Sequence, residues 1–169
     1  MVTLRLGVTV SIRSYLQIQE ARYSDIMDYR IDIDPALYSY QIPKLTLQPI
    51  VENALYHGIK YKRSHGTIAV NGRMQEDTIR LVVTDDGAGM DETELTQLRE
   101  DISKPCKETD RGFGLANVNE RIRMYFGAEY GLTIDSAKGE GTRVTIVIPA
   151  ILEEQQLLEE GGTHSEQET

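Results

Sequence analysis

The sequence predicts an α+β fold, a two-layer α/β sandwich in which a mixed, mostly antiparallel sheet is covered on one face by helices. Three observations carry this. The apolar residues switch between helical spacing and strict alternation in the order α, β, α, β, β, short α, α, β, β. Two strand pairs are adjacent in the chain and joined by short polar turns, and strands do not alternate with helices as a doubly wound parallel sheet requires. The chain has 169 residues, 40% apolar and 27% charged, which suits one compact soluble domain with its own core.

In chain order, residues 12–26 read as a helix, with Ile12, Tyr15, Leu16, Ile18 and Ala21 at helical spacing. Residues 28–33 alternate polar and apolar and read as a strand, which Asp34-Pro35 breaks. Pro43 opens a long helix over residues 45–59, whose apolar set is Leu47, Ile50, Val51, Ala54 and Leu55. Pro49 fits its first turn, where a missing N–H is tolerated. Strands near 66–74 and 78–85 flank the polar turn Gln75-Glu76-Asp77. Residues 86–114 are rich in Gly, Asp, Glu and Lys, with a short helix at 91–101. Residues 115–126 read as a second core helix through Val118 and Ile122, and 131–137 with 142–149 as a closing hairpin. Residues 151–169 read as a short acidic helix and a disordered polar end.

The formal net charge is −9, and six acidic residues of the tail (Glu153, Glu154, Glu159, Glu160, Glu166, Glu168) carry most of it, leaving −3 for the rest. No basic stripe marks a nucleic-acid surface. No apolar run approaches the roughly 18 residues that a membrane helix needs, and the first residues do not form a convincing signal peptide. With a single cysteine, Cys106, no intrachain disulfide can form.

Four segments carry chemistry. Near the end of the long helix, Asn53 and His57 lie four residues apart on one face, with Glu52 about 100° away. An amide oxygen and an imidazole so placed could hold a hydrated cation and a phosphate; taken alone, a polar helix end facing water explains them better. Next, the apolar strand Val82-Val83-Thr84 runs into Asp85-Asp86-Gly87-Ala88-Gly89-Met90. A carboxylate at a strand end can accept a hydrogen bond from an exocyclic amine, and glycines let a planar ring near the backbone; an ordinary strand-ending turn has the same composition. An EF-hand is excluded, because counting from Asp85 the alternate positions are Gly87 and Gly89 and the twelfth is Thr96. Third, Arg111-Gly112-Phe113-Gly114-Leu115 opens a helix, where free N–H groups and the dipole favour phosphate. It is neither a Rossmann fingerprint nor a Walker A loop: a polar loop precedes it, Asn117 takes the third glycine's place, and no Gly-Lys-Ser/Thr occurs. The fourth, Gly139-Glu140-Gly141-Thr142, is at the least a hairpin turn.

In series, these segments resemble the histidine-kinase ATPase family, which uses the Bergerat fold shared with type II topoisomerases and certain chaperones. Glu52-Asn53-Ala54-Leu55-Tyr56-His57-Gly58 resembles its N box, Asp85-Asp86-Gly87-Ala88-Gly89 its first glycine box, Gly112-Phe113-Gly114-Leu115 its second and Gly139-Glu140-Gly141-Thr142 its last. The resemblance spans roughly residues 40–149, and the segments 15–23 and 47–54 resemble the LytS/YesM-like group of membrane-receptor kinases. It implies that Asn53 holds Mg²⁺ on the phosphates of ATP and that Asp85 binds the adenine amino group, backed by Thr142. It further implies that Gly87 and Gly89 admit the base, that Met90 packs on it, and that His57 touches phosphate or ribose. Arg111, Gly112, Phe113, Gly114 and Leu115 would meet the phosphates, and residues 91–111 would form a mobile lid with Lys104, Lys107 and Arg111 available to the γ-phosphate.

There are departures. Related ATPases carry a water-activating Glu where this chain has Pro49, which fits a phosphoryl donor better than an efficient ATPase; Glu52 could instead serve as base for an acceptor imidazole. The only histidines are His57, His65 and His164, and none lies in an upstream acceptor helix. The expected organisation is therefore a remnant of a dimerisation or linker helix at 1–26, an ATP-binding catalytic domain at 27–150, and an acidic tail at 151–169. The expected function is to bind Mg·ATP and donate the γ-phosphoryl group to a histidine on a dimerisation domain of the same parent protein, with a response regulator downstream and no self-phosphorylation. The expected setting is the cytoplasmic part of a membrane receptor. A stand-alone regulatory serine kinase or ATPase on the same fold is the alternative, and a non-catalytic association domain a third.

Overall fold

The computed structural model describes residues 7–40, 42–43, 45–62, 64–104 and 113–151. The elements run α1 (Gly7–Arg22), β1 (Met27–Ile33), a 3-10 turn (Pro35–Ser39), α2 (Leu47–Asn53), a π-helical turn (Ala54–Gly58), a second 3-10 turn (Ile59–Tyr61), β2 (Gly66–Gln75), β3 (Thr78–Asp85), α3 (Glu92–Ser103), α4 (Phe113–Phe126), β4 (Gly131–Ala137) and β5 (Gly141–Pro149). The expected order and the α+β sandwich are both present. The five strands form one sheet in the order β1-β2-β3-β5-β4. Only β1 and β2 pair in parallel; the other neighbours are antiparallel.

Strand alternation sends one set of side chains to a single core. Ile68 and Val70 of β2, Ile79, Leu81 and Val83 of β3, Leu132 and Ile134 of β4, and Val144, Ile146 and Ile148 of β5 are all buried. The helices lay their apolar stripes on that face through Leu47, Ile50, Val51, Ala54 and Leu55 around α2, and Leu115, Val118 and Ile122 of α4. Helix α1 joins the same core through Ile12 and Leu16, packing on β1 and α2. No described helix is long and apolar enough to cross a membrane.

Helix α1 begins at Gly7 rather than at residue 12, and two helix ends differ from expectation for a tertiary reason. Helix α1 stops at Arg22 rather than at residue 26, because a tight turn, with Ile26 N–H and Met27 N–H both donating to Tyr23 C=O, redirects the chain into β1. The helix expected over 45–59 is regular only from Leu47 to Asn53; it then widens into the π-turn, where the Ile59 N–H reaches both Ala54 and Leu55 carbonyls. Pro49 sits in the first turn of α2, where its missing N–H breaks no bond. Helix α3 begins with a capping box: the Asp91 carboxylate accepts from Glu94 N–H at 3.0 Å, and Glu94 accepts from Asp91 N–H at 3.1 Å. The acidic tail beyond residue 151 lies outside the described residues.

Candidate functional site

Along β3 the period of two that buries Ile79, Leu81 and Val83 also sends Asp85, the last residue of the strand, to the core side. A carboxylate therefore ends an apolar row and is only 7% exposed. Burial pushes its pKa up to about 6 from the ordinary 3.8; the Gly87 and Thr142 backbone amides pull it back, the neighbouring Asp86 raises it and Lys62 lowers it. The Gly87 N–H donates to Asp85 Oδ1 at 2.9 Å, closing an Asx-type turn. The next residue points elsewhere: exposed Asp86 accepts from Thr67 N–H at 2.7 Å and pairs with Lys62 at 3.2 Å, fastening the loop to β2.

Three strands contribute one polar row beside Asp85. Thr142 of β5 is its cross-strand partner, and Ser136 of β4 is the partner of Thr142. Ser136 Oγ donates to Gly141 C=O at 2.8 Å, accepts from Met90 N–H at 2.9 Å, and lies 3.0 Å from Thr142 Oγ1. With its one proton committed to Gly141, Ser136 must accept from the Thr142 hydroxyl, which orients it. The backbone of Met90, whose side chain is half-buried against the core, is thus held by a serine that carried no signal in the sequence.

Asp85, Ser136, Gly141 and Thr142 line a recess, and further glycines pack closely around the carboxylate. A Cβ on Gly58 would lie 2.4 Å from Asp85 Oδ1, and one on Gly87 would lie 2.3 Å from the Gly58 carbonyl carbon. Gly89 adopts φ +63°, and a Cβ there would meet Ala137 O at 1.9 Å. Two backbone bonds tie the loops together: Ala88 N–H donates to Gly58 C=O at 3.1 Å and Gly139 N–H to Ala88 C=O at 2.7 Å. The π-turn, the loop after β3 and the β4–β5 turn therefore converge on Asp85.

The same helical segment links this recess to α4. A Cβ on Gly114, in the first turn of α4, would sit 3.3 Å from Pro49 Cβ, so the α4 N-terminus lies beside the first turn of α2. Asn53 is four residues after Pro49, on the same face, and five before Gly58, which abuts Asp85. Half-buried Asn53 thus stands between the α4 N-terminus and the Asp85 recess, and its side chain makes no capping bond to the π-turn. His57 lies in the π-turn and is exposed. Glu52 does not share the Asn53 face: its carboxylate accepts from Gln48 Nε2 at 3.0 Å and, with burial the larger cause, helps raise the pKa of Tyr15 on α1.

The remaining residues are less gathered. Leu115 buries its side chain in the core and offers only backbone to the helix end. Phe113 is the first residue of α4. Arg111, Gly112 and Lys107 lie outside the described residues. Lys104 pairs with Glu100 at 3.6 Å and Asp101 at 3.8 Å on α3 itself. Among the described residues no group of three His, Cys, Asp or Glu could hold a metal unaided.

Residues 43–151 match the family described as histidine kinase-, DNA gyrase B-, and HSP90-like ATPase. The sensor histidine kinase YesM of Bacillus subtilis is 35% identical over 138 residues, 82% of this chain and 22% of that protein. The sensor protein LytS of Bacillus cereus is 34% identical over 148 residues, 87% of this chain and 25% of that protein. The chain thus spans about a quarter of the length of these curated relatives or less. In fold it is similar to the catalytic domain of histidine kinase ThkA, with a TM-score of 0.62 at 18% identity over 90% of this chain and 98% of that one. A match over more than half its length places this chain in the histidine kinase-, DNA gyrase B- and HSP90-like ATPase family, as an ATP-binding catalytic domain of the sensor histidine kinase kind.

Proposed function

We propose that the chain binds Mg·ATP across the segment from Asp85 to the α4 N-terminus and donates the γ-phosphoryl group to a histidine of a dimerisation domain, from which a response regulator receives it. The observation that carries this is a nearly fully buried carboxylate packed against Gly58, at the end of the helical segment that bears Asn53. An ionised Asp85 accepts from the adenine amine; the Thr142 hydroxyl, oriented by Ser136, supports it, and Met90 lies at the edge of the recess. Gly87 and Gly89 let the loops close against Gly58 and Ala137 beside Asp85. Phosphates meet the free N–H groups at the start of α4, from Phe113, Gly114 and Leu115; Arg111, Gly112 and His57 are assigned to the phosphates by resemblance alone.

The Asn53 amide oxygen suits Mg²⁺, which favours oxygen ligands and is usually shared with substrate phosphates. When bound there it would neutralise charge on the transferring group. Pro49 leaves no carboxylate one turn before Asn53 to activate water, so the acceptor is a side chain: its imidazole nitrogen attacks the γ-phosphorus, the bond to the bridging oxygen breaks, and ADP leaves. Glu52 lies near Tyr15 of α1, and an acceptor imidazole brought to that side would give its proton to it. The parent protein in this reading is a membrane receptor with this domain in the cytoplasm.

The test is calorimetric titration with a non-hydrolysable ATP analogue, with and without Mg²⁺, followed by transfer from labelled ATP to a separate histidine-bearing helical hairpin and, in parallel, to a serine-bearing partner. Micromolar, Mg²⁺-dependent binding and acid-labile label on the hairpin are expected. No binding would sink the reading, label on serine would replace it, and acid-labile phosphohistidine on this chain alone would overturn the expectation that it does not phosphorylate itself.

A further inference from the structure

A cluster outside the recess joins α1 to the π-turn. The Lys60 ammonium donates to the Tyr23 hydroxyl at 2.8 Å and sits 4.4 Å from the centroid of the Tyr23 ring and 4.0 Å from that of Tyr56. Arg22 approaches Tyr23 as well, at 5.4 Å from its centroid. Tyr23 immediately follows α1, Tyr56 belongs to the π-turn, and Lys60 to the 3-10 turn after it. Further back on α1, Tyr15 lies near Tyr56 and Glu52, which add to burial in raising the pKa of its hydroxyl. One cation clamped between two aromatic faces, with a second contact a helical turn or two away, fixes the end of α1 against the π-turn.

Two residues after Tyr56 the π-turn reaches Gly58, which has no clearance from the Asp85 carboxylate and whose carbonyl holds Ala88 N–H. We propose that Lys60, clasped between Tyr23 and Tyr56, is a positioning residue that lets helix α1 set the shape of the nucleotide recess. This rests on the nucleotide-binding reading above and adds to it a route by which a shift of α1 alters affinity without touching the ligand. When the clasp opens, the π-turn loses its outer support, Gly58 draws away from Asp85, and water enters the recess.

The test uses the whole chain with Lys60→Met, which keeps the stem and removes the cation, and Lys60→Arg, which keeps both cation and donor. Amide hydrogen exchange without nucleotide is read at Ala88 and Ile59, with Ile146 of β5 as the remote reference. Each cation–π contact at an exposed site corresponds to roughly two- to fivefold. Lys60→Met is therefore expected to speed exchange at Ala88 by roughly three- to tenfold, leave Ile146 unchanged, and weaken binding of the ATP analogue by a similar factor, with Lys60→Arg close to the parent chain. The pH profile of affinity discriminates further. The groups facing Asp85 are the Gly87 and Thr142 amides, Asp86 and Lys62. Hydration of the recess lowers the midpoint below about 6, whereas simple loss of a nearby positive charge raises it.

Should Lys60→Met fail to fold, Tyr23→Phe removes only the hydroxyl acceptor and is expected to show the same pattern at smaller size. Unchanged exchange at Ala88 in the folded variant, or equal effects of Met and Arg at position 60, would overturn the proposal. If the parent chain binds no nucleotide, the functional reading falls, while the exchange data still decide whether the clasp holds the π-turn.

Discussion

The two ends of the proposed nucleotide site are built on different principles. At the Asp85 end several polar groups are already engaged within the fold: Asp85 with Gly87 N–H, Ser136 with Met90, Gly141 and Thr142, and Gly58 with Ala88. At the Asn53 end the polar groups are an amide without a capping role and the opening turn of α4. The first end is pre-organised by the sheet and by glycines that admit no Cβ; the second is assembled from helix ends whose partners, on the proposed reading, a ligand would supply. Base recognition should accordingly depend on fold geometry and protonation, and phosphate recognition on the metal.

The largest expected effect breaks the Asp85 end. Asp85→Asn removes the charged acceptor, and losing a hydrogen bond to a charged group corresponds to roughly 10- to 150-fold weaker binding of the ATP analogue. The same substitution should stabilise the free domain near neutral pH. Its folded pKa of about 6 lies above the ordinary 3.8, so protonation stabilises the fold fully below 3.8 and that stability is lost as pH rises through about 6. The loss is about 3 kcal/mol, and urea titrations from pH 4 to 7 should show it in the parent chain and not in Asp85→Asn. Nucleotide affinity runs the opposite way, falling by up to about tenfold per pH unit below about 6, as the acceptor is protonated. Affinity that is flat from pH 5 to 7 would contradict the assigned role.

Asn53→Ala probes the other end. Affinity in the presence of Mg²⁺ should drop at least about tenfold, while binding without Mg²⁺ and the urea midpoint stay nearly unchanged, since the residue is not part of the core. Equal losses with and without the metal would move Asn53 from metal to phosphate contact. Ser136→Ala comes next: leaving Met90 N–H and the Thr142 hydroxyl without a partner costs about 1–3 kcal/mol of stability, with a several-fold loss of affinity that is independent of Mg²⁺. The smallest effect lies far from the site. Glu76 holds φ 53° in the β2–β3 turn, so Glu76→Gly should stabilise the fold by roughly 0.5–1 kcal/mol and leave both ends of the site alone.

Much of this was legible because it is local. Period two along β3 places Asp85 on the core side and Asp86 away from it, and helical spacing selects Leu47, Ile50, Val51, Ala54 and Leu55 as the buried stripe around α2. That stripe also explains why the π-turn was not legible: an α-helix and a helix that widens after Asn53 bury the same five residues, and only the requirement that Gly58 reach Asp85 distinguishes them. Ser136 was equally silent, because its role comes from register across β4 and β5 rather than from its neighbours in the chain.

Composition and periodicity determined by themselves the sandwich and the strand that ends in a carboxylate, and the resemblance of four segments to known motifs pointed to the family. Tertiary structure alone decided which loops touch. Side chains such as Tyr23, Tyr56 and Lys60 are interchangeable with solvated surface residues until the turn after α1 and the π-turn bring the Lys60 ammonium within 4.4 Å of both ring centroids. Local pattern records which way a residue faces along its own element; contact between distant elements depends on the path of the backbone between them, which no single window of sequence contains.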